Sequence, residues 1–264
     1  MHISLNGKRA IVSGSTAGIG LAIAIGLAEA GAEVVLNGRT QARVDEALSA
    51  VRERLGQARV IGIAADLSTA EGAQKLFDQV PHTDILVNNL GIFEPKPFFE
   101  IEDADWQRFF DVNVLSAVRL SRHYAQGMAE RKWGRVIFLS SESGLQIPTE
   151  MVHYGMSKTA LLAVSRGLAE TLAGTGVTVN SVLPGPTRSE GVGDFFAKMA
   201  QEQGVSTDEL EANFVAEHRP SSLIKRLATV EEVASMVVYL ASVQASATTG
   251  AALRVDGGVL RSIA

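Results

Sequence analysis

Ser13-Gly14-Ser15-Thr16-Ala17-Gly18-Ile19-Gly20 follows the short apolar run Arg9-Ala-Ile-Val and precedes a stretch to Ala30 with alanine, leucine and isoleucine at helical spacing. That order is strand, glycine-rich turn, helix. A turn with glycines at 14, 18 and 20 lets the backbone reverse tightly and approach a ligand, and the free N–H groups and dipole of the following helix attract a pyrophosphate. Three residues separate the first two glycines, so the spacing differs from the common G-x-G-x-x-G fingerprint.

Outward from this turn the same alternation repeats. Glu33-Val-Val-Leu-Asn37 is a second strand, and Ala42 to Leu55 is a helix behind Thr40, a candidate cap. Arg59 to Ala64 is a third strand, Asp66-Leu-Ser-Thr opens another helix, and Asp84-Ile-Leu-Val-Asn88 is a fourth strand. A long helical pattern runs from Asp103 to Glu130. Strand Arg135–Leu139, helix Tyr154–Ala173, strand Val177–Leu183, helix Val230–Leu240 and strand Ala252–Val255 complete the series. Strands this apolar are buried on both faces, which predicts an α/β fold in three layers, a parallel sheet with helices on each side.

Composition narrows the possibilities. The 264 residues are 46% hydrophobic and 20% charged, ordinary globular usage, and the net charge of -5 offers no electrostatic footprint for nucleic acid or an anionic membrane. There are no cysteines, and the histidines at 2, 82, 123, 153 and 218 have no metal-ligand spacing, so no metal is expected. The opening residues lack a signal-peptide core and no apolar run is long enough to span a bilayer; a cytoplasmic protein is the expectation. No linker interrupts the pattern, which predicts one domain over 1–264.

In open α/β sheets ligands bind beyond the carboxyl ends of the strands. The residues there, besides Gly14, Ser15, Thr16, Gly18, Ile19 and Gly20, are Asn37 to Arg39, Asp66 and Leu67, Asn88 to Gly91, Ser140 and Ser141, and Pro184, Gly185 and Thr187. Together they describe a crevice for a dinucleotide. Strand two ends in Gly38 where an NAD-selective enzyme carries a carboxylate, and Arg39 follows, able to pair with a 2′-phosphate, with Thr40 or Asn37 adding a hydrogen bond. NADP(H) is the expected cofactor, with NAD(H) possible, since Ala17 stands where a second basic residue would help.

Tyr154 and Lys158, four apart at a helix start, share one face, and an ammonium there lowers a phenol's pKa toward a range useful for proton transfer. Ser141 can donate to an oxygen held by the same tyrosine. With the glycine turn, Asn88-Asn89-Leu90-Gly91 and Val255-Asp256-Gly257-Gly258, this pattern closely resembles the classical short-chain dehydrogenase/reductase family over essentially the whole chain. The resemblance implies a Rossmann-type doubly wound sheet of seven strands, and a proton relay of Asn113, Ser141, Tyr154 and Lys158. It also implies cofactor contacts from Tyr154, Lys158, Asp66, Leu67, Asn88, Gly91, Pro184, Gly185 and Thr187, and a homo-oligomer, dimer or tetramer, built on helices 103–130 and 154–173. Departures are Ser13 for threonine, Leu90 for alanine, which adds bulk near the nicotinamide or substrate, and Ser189 for threonine.

The expected reaction is hydride exchange between a nicotinamide and a small carbonyl or secondary alcohol, Tyr154 being the acid or base. A 3-oxoacyl-thioester reductase is the alternative among enzymes, and a non-catalytic nucleotide-sensing regulator the alternative outside them. Ser189 to Pro220, with Phe195, Phe196, Met199 and Phe214, reads as a substrate lid, or as a segment docked on the core. His153 is expected to be exposed, and Trp106 and Trp133 to pack.

Overall fold

A computed structural model of the protein describes residues 2–189, 193, 199–201, 204 and 206–263. The elements are β1 (Arg9–Val12), α1 (Gly18–Glu29), β2 (Glu33–Gly38), α2 (Gln41–Leu55), β3 (Val60–Ala64), α3 (Ala70–Gln79), β4 (Ile85–Asn88), α4 (Asp103–Phe109), α5 (Ser116–Glu130), β5 (Gly134–Leu139), α6 (Val152–Thr171), β6 (Val177–Pro184), β7 (Thr187–Arg188), α7 (Thr207–His218), β8 (Ala228–Thr229), α8 (Val230–Ala241) and β9 (Ala252–Val255). Seven strands form one sheet in the order β3-β2-β1-β4-β5-β6-β9, every neighbouring pair parallel. The chain reverses its direction of winding between β1 and β4, which opens a crevice at their carboxyl ends.

Each face of the sheet has its own core. Ile23 and Leu27 of α1 and Val233, Val237 and Leu240 of α8 cover one side with Val12, Leu36 and Val87. Leu76, Leu120, Tyr124, Met128 and Leu161, from α3, α5 and α6, cover the other with Ile11, Val35 and Phe138. Both faces of the strands are therefore buried, as their unbroken apolar runs require. A third, small cluster of Ala200, Leu210, Val215 and Leu227, with Met199 and Phe214 against it, holds α7. Phe195 and Phe196, half of the apolar set expected in a lid, lie outside the described residues.

Four local readings change. The helix expected from Asp66 starts at Ala70, because Thr69 is the cap that accepts from Gly72 N while Asp66 closes a turn on Ser68. The helix expected from Tyr154 starts at Val152. The pattern from Asp103 to Glu130 is helical throughout, but Phe110–Leu115 widens into a π turn that divides α4 from α5. Asn37, placed beside the cofactor by its position in the sequence, is buried inside β2: its Oδ1 accepts from Gly14 N (3.1 Å), and its Nδ2 donates to Ile63 O (3.2 Å) and Ala65 O (3.0 Å).

Asn37 thus ties the glycine turn to β2 and β3 with one side chain. Asn37→Ala leaves one N–H and two carbonyls without that partner, and the expected loss is about 2–4 kcal/mol. The urea midpoint of Asn37→Ala against the wild type checks this; a variant within about 0.5 kcal/mol of wild type removes the stitch from the stability of the fold.

Candidate active site

The glycine turn after β1 is held from below and from the side. Ser15 is fully buried, its hydroxyl donating to Val12 O (2.7 Å) and accepting from Asn37 N (2.9 Å), so it acts inside the turn. The Ser13 hydroxyl accepts from Asn89 N (2.9 Å) and Leu90 N (3.0 Å), and Asn89 Nδ2 donates to the carbonyls of Ser13 and Gly14. Asn89 is a turn-binding residue that the sequence placed only within a run of four. Leu90, expected to add bulk to the cofactor or substrate space, packs over Gly14 and against the core.

The shape that results fits a dinucleotide. Gly14 and Gly18 have φ of +61° and +55°, and a Cβ on Gly20 would lie 2.4 Å from Gly14 O and 2.5 Å from Asn89 Nδ2, so the helix start is pressed against the turn. Helix α1 begins with no side-chain cap and no acid in its first turn, whereas α2, α3, α7 and α8 begin under Thr40, Thr69, Ser206 and Thr229. Its N–H groups, with those of Thr16 and Ile19 nearby in sequence, suit the diphosphate.

Further along the edge, Arg39 is exposed and has no ion pair or hydrogen bond among the described residues. Gly38 beside it admits no side chain, since a Cβ there would stand 2.4 Å from Thr16 Cγ2. Asp66 and buried Leu67 follow β3. Asn88 is buried with its Nδ2 on Ser121 Oγ (3.1 Å) and its Oδ1 without a partner. Pro184 ends β6, Gly185 lies against the Asp256 backbone, and buried Thr187 donates to Gly185 O (2.9 Å).

Four side chains, from the π turn, the turn after β5 and α6, meet beyond β4 and β5. Asn113, in the π turn, is wholly buried; it accepts from Ile92 N (2.8 Å) and donates to Ile92 O (3.0 Å) and Ser157 Oγ (2.9 Å), clamping the loop after β4 to α6. Gly91 sits where a Cβ would be 3.3 Å from Lys158 Nζ and 3.5 Å from Asn113 Oδ1. Lys158 donates to Leu139 O (2.9 Å), and burial lowers its pKa from 10.5 to about 8. Ser141, buried, stands two residues beyond β5 and caps the turn Glu142–Gly144, and Tyr154 stands in the first turn of α6.

The electrostatics differ from the simple expectation for a Tyr–Lys pair. Burial pushes the Tyr154 phenol up to about 12; hydrogen bonding with Ser141 works against this, Glu142 adds to it and Arg219 opposes it. Lys158 Nζ lies 5.6 Å from the tyrosine ring centre and is turned to a carbonyl, so it does not pull Tyr154 down in this geometry. Two groups were not legible in the sequence. Glu142 is buried, accepts from Ser141 Oγ (2.5 Å) and Ser143 N (2.9 Å), and pairs with Arg219 Nε at 3.0 Å. His153, expected at the surface, is fully buried between Phe109 and Trp106 with neither ring nitrogen bonded, and burial lowers its pKa.

The fold and site define an oxidoreductase of the Rossmann type. Residues 14–260 match the family model described as enoyl-(acyl carrier protein) reductase. The uncharacterized oxidoreductase YvaG of Bacillus subtilis (strain 168) is 48% identical over the full length of both chains. The 3-oxoacyl-[acyl-carrier-protein] reductase FabG of Aquifex aeolicus (strain VF5) is 31% identical, covering 98% of this chain and 100% of that one. L-sorbose reductase from Gluconobacter frateurii, solved with NADPH and L-sorbose, superposes with a TM-score of 0.91 at 33% identity over both whole chains. The chain belongs to the short-chain dehydrogenase/reductase family.

Burying Lys158 carries a stability cost. Its folded pKa is depressed, so between pH 8 and 10.5 the unfolded chain binds more protons and stability rises with pH; below pH 8 the full penalty, about 3 kcal/mol, is present. Lys158→Met removes that charge but leaves Leu139 O without its donor, so a net gain of about 1–3 kcal/mol is expected at neutral pH. Chemical unfolding at pH 7 and at pH 10.5 checks it: the gain should shrink at the higher pH, and a gain independent of pH contradicts the account.

Proposed function

We propose that the protein interconverts a small ketone and its secondary alcohol, with NADP(H) preferred over NAD(H), and with Tyr154 as the group that gives the proton to the substrate oxygen or takes it away. The observation that carries this reading is the convergence of Ser141, Tyr154, Lys158 and Asn113, from β5, α6 and the π turn, on the end of the crevice opposite the glycine turn. A bound nicotinamide dinucleotide supplies the hydride donor or acceptor. Ser141 orients the substrate oxygen and Tyr154 exchanges its proton. Lys158 holds the ribose side of the site, and Asn113 fixes both the Gly91 loop and α6. An apolar rim of Phe93, whose ring meets Tyr154 edge-on at 6.4 Å, and Ile147, against Gly155, narrows the approach.

Removing the phenol oxygen alone tests the chemistry. Tyr154→Phe should lose turnover by about 10²–10⁴-fold while nucleotide binding, measured by calorimetry, stays within a few-fold. A panel of ketones and 3-oxoacyl thioesters, assayed with both reduced cofactors, separates the substrate classes; nucleotide binding with no turnover of any compound would favour a sensor. L-sorbose reductase and FabG among the relatives make polyol-type ketones and 3-oxoacyl compounds the first members to include.

Cofactor choice rests on Arg39. Gly38 leaves the carboxylate position empty, with Thr16 standing where a side chain would begin, and the Arg39 guanidinium next to it, which has no partner among the described residues, suits a 2′-phosphate. The NADPH to NADH ratio of kcat/KM should fall about 10–100-fold in Arg39→Ala, by loss with NADPH alone; an unchanged ratio removes Arg39 from selection.

The described part of the 189–220 segment, α7 with Arg219 behind it, serves in this reading as a cover on the substrate side. Assembly into a cytoplasmic homotetramer, through the helices at 103–130 and 152–171, is part of the same proposal. Support comes from Phe99, 99% exposed, with Phe98 and Phe110 on the same stretch. Among the described residues no helix is long and apolar enough to cross a membrane.

A further inference from the structure

Ser141 has one hydroxyl proton, and in this structure it is given to Glu142 Oε2 at 2.5 Å. A substrate carbonyl oxygen, or a Tyr154 phenolate, needs that same proton. The carboxylate is therefore a competitor placed inside the site, buried and held from two sides: Ser143 N donates to Oε2 (2.9 Å), and Arg219 Nε donates to Oε1 (3.0 Å). Arg219 is itself nearly covered, and among the described residues its next carboxylate is Glu150, at 3.8 Å. It follows α7 directly, so the partner of this carboxylate comes from the segment proposed above as a cover on the substrate side.

We propose that Glu142 and Arg219 are a pair of positioning residues for the proton transfer: Glu142 sets the direction of the Ser141 hydroxyl, and Arg219 weakens the carboxylate's hold so that Ser141 can turn its proton toward the substrate oxygen. Charge arithmetic makes the pair separable. Among the described residues, the charged groups around Tyr154 are Lys158 on its own helix, Glu142 from the turn after β5 and Arg219 from beyond α7, with Glu150 behind Arg219. His153, although adjacent in sequence, turns its ring to Trp106 and Phe109. Glu142 opposes ionisation of Tyr154 and Arg219 favours it, so the two fields oppose each other, and either one left alone acts on the phenol without that opposition.

The reading depends on Tyr154 carrying the proton, as proposed above, and the test keeps the two apart. The full chain, ligand-free, is prepared with ring-labelled tyrosine for carbon NMR; it has three tyrosines, and the Tyr154 signal is the one missing from Tyr154→Phe. Glu142→Gln should bring the Tyr154 midpoint down by about 0.5–1 unit and Arg219→Gln should raise it by a similar amount, with the double variant returning toward wild type. Arg219→Lys, which keeps the charge, should stay near the wild-type position. In the oxidation direction the pH profile of kcat should move in the same two senses, with KM changing less than kcat. Circular dichroism confirms that each variant is folded, and the charge-retaining Arg219→Lys serves if Arg219→Gln is not. Shifts of the same sign in Glu142→Gln and Arg219→Gln, or none in either, overturn the proposal. Turnover surviving in Tyr154→Phe overturns instead the assignment of the proton to Tyr154, and leaves the titration order as an independent result.

Discussion

Two asparagine amides, Asn37 fully buried and Asn89 half-buried, set the geometry on which the rest of the crevice depends. Asn89 donates to the carbonyls of Ser13 and Gly14, and Asn37 accepts from Gly14 N while donating to the end of β3. Backbone groups in a turn at the end of a buried strand cannot reach water and have no ladder partner, so each must be met by a side chain. Meeting them with amides, which donate and accept at once, lets the chain leave α1's own N–H groups unused. A helix start without a cap is costly in an apolar setting and useful beside an anion. The polar stitching beneath the turn is thus what makes an uncapped α1 tolerable.

Much of this was legible in the sequence because the period of the apolar residues and the position of the glycines are local properties. The strands and helices fall within a few residues of their expected limits, and the steric need for Gly14, Gly18 and Gly20 follows from a turn that must fold onto itself. The failures share a cause: each depends on what lies opposite. Asn37 reads as a crevice residue by position, but its side chain points into β3, which no spacing rule reports. His153 reads as a polar helix-start residue, yet α4 packs a phenylalanine and a tryptophan across it. The π turn at Phe110–Leu115 leaves the helical period nearly intact and is invisible to it. Glu142 follows a strand, where a glutamate is normally solvated, and only the long-range arrival of Arg219 shows otherwise.

Two buried cations, one outside the site and one inside it, are handled differently. Arg135, away from the crevice, is satisfied by carbonyls of Ser242 and Gly134 and stacks on Trp133, so its burial is repaid locally. Among the described residues Lys158 has a single carbonyl partner and no carboxylate, and burial lowers its affinity for a proton. An ammonium left this poorly compensated retains unused donors. Such a group is destabilising for the fold and available for a ligand, which is the usual relation between stability and a binding site.

That contrast bears on why the other buried charge, Glu142, is paired so completely. A lone carboxylate this close to Tyr154 would oppose phenolate formation, and burial already pushes the phenol up to about 12. Adding an uncompensated negative charge would place the ionised form still further out of reach, whereas simply replacing the glutamate with an apolar residue would free the Ser141 hydroxyl to rotate. The Arg219 guanidinium resolves this conflict by cancelling the charge while leaving one carboxylate oxygen on Ser141. Because Arg219 arrives from beyond α7, orientation at the centre of the site is made conditional on how the segment above it is seated, a coupling that a local hydrogen bond from the β5 turn could not provide.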